Sequence, residues 1–86
     1  MHKSFELLGR KCRDVISGIE GVVDSICFDL YGCIQGAMRP EGLTDKGELK
    51  ESRWFDVKRL VPMGDAVMAV PDFSKPEIGA ADKPSR

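Results

Sequence analysis

The sequence predicts an all-β fold, a small barrel of about five antiparallel strands with one short helical turn and a flexible C-terminal tail. Three observations carry this. Runs rich in β-branched and aromatic residues are short, glycine- and proline-led turn signals separate them, and the connections are too brief for parallel crossovers. With 86 residues, the chain has room for one small domain and no second one.

Each element follows in order. Phe5–Gly9 is read as an extended lead-in, although Phe5, Leu8 and Cys12 also share a helical spacing. A first strand covers Cys12–Ile16 and ends at Ser17-Gly18. The second covers Gly21–Phe28, and a turn at Tyr31-Gly32 sends Cys33–Met38 back antiparallel as the third. Arg39-Pro40-Glu41-Gly42 stops that strand. Leu43–Glu51 is polar and reads as an exposed loop or hairpin tip. Ser52–Phe55 makes a fourth strand, and Asp56 caps a single 3₁₀-type turn before Leu60. Val61–Met63 is a fifth, short strand that Pro62 confines to an edge. Residues 1–63 thus form the barrel, and residues 64–86 a flexible or docking tail in which Ala66–Val70 is an apolar stretch able to dock as an edge strand. The long loop after the third strand and the turn before the last make the barrel SH3-like. An OB-fold asks for a longer chain and a true helix between its third and fourth strands.

Composition narrows the function. The chain is 42% hydrophobic and 31% charged, as ordinary globular domains are, and its formal net charge is −1. That balance argues against a global basic excess for holding nucleic acid and leaves only a local patch. No apolar run is long enough for a membrane span or a signal peptide, so a cytoplasmic protein is expected. The three cysteines, Cys12, Cys27 and Cys33, include no CxxC pair and read as reduced thiols. Their spacing does not support a zinc site, and no metal or cofactor is expected. His2, the single histidine, stands near the start of the chain and away from Cys33 in sequence, and Asp45 and Glu48 lie in a polar loop. No catalytic residue is assigned, and a non-enzymatic role follows.

Particular residues carry a resemblance. The stretch from Gly9 to Ser25, with Leu30–Gln35 and then Trp54-Phe55-Asp56 and Arg59-Leu60, resembles a family of small bacterial proteins encoded on mobile elements such as prophages and integron cassettes. Its pattern is roughly G-x-x-V-x-D-x-[IV]-[TS]-G-[FI]-x-G-[VI]-[VA]-[TD]-S, followed by G-C-[VI]-Q and W-F-D. The likeness spans residues 8–61, and Cys12 stands where valine is commoner. It implies an SH3-like barrel and a mobile-element origin, and no reaction. More distantly, Gly18, Gly21 and Val23 are similar to the turn of KOW-type barrels in ribosomal and transcription proteins, which implies nucleic-acid binding as an alternative function.

Two candidate sites emerge. Strict alternation puts Val23, Ser25 and Cys27 on one face of the second strand and Val22, Asp24, Ile26 and Phe28 on the other, so both faces are partly apolar. Ile26 and Phe28 are expected under another subunit, the tail or the N-terminal segment, with a bulge that turns them into the barrel as the competing arrangement. Adjacent Trp54 and Phe55 point to opposite faces, and Trp54 and Tyr31 complete a candidate interface with Ile26 and Phe28. Arg10, Lys11 and Arg13 on the first strand, with Lys58 and Arg59 near the last, form a candidate nucleic-acid contact. The leading expectation is a binding or adaptor module that homo-oligomerises and engages a protein partner.

Overall fold

Residues 2–74 are described by a computed structural model. A 3₁₀ helix, η1 (Lys3–Leu7), leads into five strands, β1 (Arg10–Asp14), β2 (Glu20–Phe28), β3 (Ile34–Arg39), β4 (Arg53–Asp56) and β5 (Leu60–Ala66), with a second 3₁₀ turn, η2 (Val57–Arg59), before the last. The strands form one antiparallel sheet in the order β4-β3-β2-β1-β5. A four-strand meander, β1 to β4, is thus followed by a return of β5 to β1 through η2, the connectivity of a small SH3-like barrel. Its centre takes one buried side chain from every strand: Cys12, Val23, Met38, Phe55 and Leu60. Leu7, Leu8 and Ile26 pack around them.

The β2 alternation is where the sequence reading needs correcting. Val23 pairs with Met38 and Ser25 with Ala37, so β2 advances two residues while β3 advances one. This β-bulge at Asp24 shifts the side-chain phase, bringing Ile26 onto the face of Val23 instead of leaving it opposite. Asp24 itself, exposed, pairs with Arg39 at 3.3 Å. Gly21 meets a different constraint, because an added methyl there would overlap the Arg39 carbonyl.

The N-terminal segment is helical rather than extended. His2 Nδ1 accepts from the Ser4 amide at 3.0 Å, and Leu8 N–H donates to the Phe5 carbonyl at 3.1 Å, closing η1 at both ends. Curling the segment lets Leu7 reach the core while Phe5 stacks on Phe28 with ring centroids 5.5 Å apart. The first strand ends at Asp14, two residues early, because the Asp14 carboxylate captures the amides that follow it. Cys33 stays out of β3 because its amide donates to Asp29 Oδ1 at 2.9 Å.

The last strand runs past Met63 to Ala66. Arg10 pairs with Ala66 and Cys12 with Pro62, so β5 spends four residues against two of β1 and bulges. Arg10 Nε donates to the Gly64 carbonyl inside that bulge at 3.0 Å. The apolar stretch after Ala66 docks on its own chain: Val67 N–H donates to Gly9 O at 2.6 Å, and Gly9 N–H to Val23 O at 2.7 Å. Gly9 adopts φ +80°, and an added methyl would stand 2.8 Å from the Met68 carbonyl, so only glycine fits where the two segments cross. The expected tail beyond Ser74 lies outside the described residues.

Candidate functional site

The turn joining β1 to β2 is organised by one carboxylate. Asp14 is 0% exposed, and it accepts from Arg59 Nε and Nη2, each at 2.7 Å, in a fork that matches both oxygens. The Ser17 amide donates at 2.9 Å and the Ser17 hydroxyl donates as well, with the Ile16 amide at 3.4 Å. The Arg59 guanidinium first, and the Ser17 and Ile16 donors after it, hold the Asp14 carboxyl well below the ordinary carboxylate range against the opposing effect of desolvation. Arg59 also sits 5.5 Å from the centre of the Phe55 ring, and its carbonyl accepts from Val15 N–H at 2.9 Å. Backbone and side chain together latch η2 onto the end of β1. The spacing Asp14, Ser17, Gly18 is the sequence signal for such an Asx-type turn, whereas the Arg59 partner lies 45 positions away and has no local signature.

The five basic residues therefore do not form one patch. Alternation along β1 turns Lys11 and Arg13 away from Cys12 and the core. Lys11 pairs with Glu41 at 3.1 Å and more loosely with Glu20 at 3.9 Å, and Glu41 above all raises its ammonium pKa. Arg59 is committed to Asp14. Arg10 and Lys58 do meet, in a cleft between η1 and η2 that Lys3 also lines.

The candidate interface residues also separate. Ile26 packs, partly buried, against the core, and Phe28 lies between Phe5 and the His2 ring, with Phe73 5.9 Å beyond Phe5. Phe28 is covered in part by its own chain, which is one of the arrangements the sequence left open. Tyr31 is 87% exposed at the tip of the β2–β3 hairpin, where Asp29 Oδ1 accepts from the Tyr31 and Cys33 amides and presents Leu30 and Tyr31 outward. Trp54 is 51% exposed on the outer face of β4, opposite Ala37, while Phe55 points inward. Cys27 and Cys33 are exposed free thiols and Cys12 a buried one whose pKa burial pushes up.

Among the described residues no three histidine, cysteine, aspartate or glutamate side chains gather to hold a metal ion, and no helix is long and apolar enough to cross a membrane. The His2 ring is engaged with the Ser4 amide and the Phe28 ring edge. No protein-family model matches the chain, and no curated protein or solved structure matches it either.

Proposed function

We propose that this chain is a non-enzymatic binding module of the cytoplasm, carried on a mobile element, that acts through protein–protein association, first with a second copy of itself. One observation carries the reading. Among the described residues fifteen large apolar side chains are exposed, against six buried apolar residues in the core. Scattered exposed apolar residues are normal, but here some stand side by side, at Leu30-Tyr31 and Val15-Ile16, and others lie on the outer faces of the edge strands at Trp54, Val61 and Met63. Aromatic anchors such as Tyr31 and Trp54 are the residue types that dominate association energies. The alternative, a KOW-like nucleic-acid-binding barrel, draws less support, since carboxylates already engage Lys11 and Arg59.

Size-exclusion chromatography with light scattering on the full chain, at low and high salt, tests this. The expected mass exceeds one chain at micromolar concentration, is insensitive to salt, and falls toward one chain in a variant combining Tyr31→Ser with Trp54→Ser. A monomer at all salt concentrations overturns the reading. A monomer that carries material absorbing at 260 nm, released by salt, transfers the assignment to nucleic acid.

A further inference from the structure

We propose that the cleft between η1 and η2 binds a small organic anion, a carboxylate carried on a short aliphatic body. The cavity measures about 350 Å³, toward the small end of natural ligand sites. Its charged lining consists of Lys3, Arg10, Lys58 and a single carboxylate, Glu6. The three cations arrive from η1, β1 and η2, so the fold rather than local sequence brings them together.

Their charge has no ion-pair partner among the described residues, which is also true of Arg13, Lys46, Lys50 and Arg53; what sets these three apart is that they line one cleft. Lys11, Arg39 and Arg59 each face an acidic partner within 4 Å, whereas no ion pair among the described residues involves Lys3, Arg10 or Lys58. Arg10 is held in place by its Nε bond to the Gly64 carbonyl, a neutral acceptor that leaves the guanidinium charge uncompensated and its terminal nitrogens available. A site with two net positive charges in a chain of net charge −1 is a local attraction for an anion.

The uncharged lining sets the body of the ligand. Leu7, Val57, Leu60 and Pro62 are aliphatic, and no aromatic ring lines the cavity on which a nucleobase would stack. A carboxylate suits the head because Arg10 can meet both its oxygens, and a monoanion loses less hydration than a phosphate dianion on entering an apolar cleft beside Glu6. The inference is independent of self-association.

Octanoate is the probe, titrated into the full chain by calorimetry and by ligand-observed NMR, with octanol, inorganic phosphate and a short oligothymidylate as comparators. Octanoate is expected to bind saturably, with each comparator weaker by about tenfold or more, and Lys58→Glu combined with Lys3→Glu is expected to weaken octanoate by about tenfold or more. Lys3 and Lys58 are exposed, and an unchanged denaturation midpoint verifies that the variant folds. Absence of saturable octanoate binding overturns the proposal, as does undiminished binding by the folded double variant. Equal binding of octanol removes the role of charge, equal binding of phosphate removes that of the aliphatic floor, and tighter binding of the oligonucleotide replaces the ligand class; each of these also overturns it. A monomeric protein that binds octanoate separates this site from the association reading.

Discussion

At Asp14 a single buried carboxylate is surrounded by donors from its own turn and from Arg59, and its removal should be felt at a distance. In the folded chain its pKa is depressed below the unfolded value, so on acidification the unfolded chain takes up the proton first. The stabilisation is therefore complete above about pH 4 and drains away as pH falls through the folded value. Asp14→Asn should lower the urea midpoint at neutral pH, because the Arg59 charge loses its partner, and should flatten the acid side of the stability profile. An unchanged midpoint together with an unchanged acid slope would show that the pair contributes nothing. By contrast Lys11→Ala, which removes an exposed pair with Glu41, should leave the midpoint near the parent's. The local half of the turn was legible in the sequence only as Ser17-Gly18, with Asp14 read inside the first strand. Its other half was not, because a guanidinium 45 residues downstream becomes a neighbour only once β5 has paired with β1.

Strand β2 shows how an element can carry two side-chain phases. Before Asp24 the inward position is Val23, and beyond the bulge it is Ile26. Deleting Asp24 should restore a regular ladder and turn Ile26 and Phe28 outward, costing about 2 kcal/mol or more of stability by urea denaturation. A deletion variant as stable as the parent would mean that the strand can slip without penalty. The existence and order of the strands were legible from turn residues and β-branched runs. Boundaries moved where side chains competed with the ladder: Asp14 and Asp29 bind backbone amides, ending β1 two residues early and delaying β3, while a bulge around Gly64 lengthens β5. A bulge has no compositional mark when the extra residue is an ordinary exposed aspartate. The helical start of the chain was likewise hidden, since Phe5 and Leu8 suit either form until Phe28 and the core select the curled one.

For the molecule as a whole, folding gathers residues into groupings that charge runs in the sequence do not reveal. Arg10, Lys11 and Arg13 are neighbours in sequence, yet β1 sends Arg10 to the cleft and Lys11 to Glu41 on the other side. Lys3, absent from any basic run, joins the cleft because η1 curls over β1 and β2, facing Leu60 and Pro62 of β5 across the opening. The same curl brings Phe5 to Phe73, so the first and last described segments meet over Phe28 with Phe5 and Phe73 ring centroids 5.9 Å apart. Connectivity at that point is then exchangeable for packing. Joining His2 to Ser74 by a short glycine-serine linker and opening the chain between Lys46 and Gly47, in the exposed loop closed by the Leu43–Leu49 bridge, should give a circular permutant with a cooperative transition close to that of the linear 2–74 chain. Such a permutant would relocate both chain ends to the β3–β4 loop, leaving the aromatic seam as a continuous stretch of chain on which reporters or tethers no longer need to be attached.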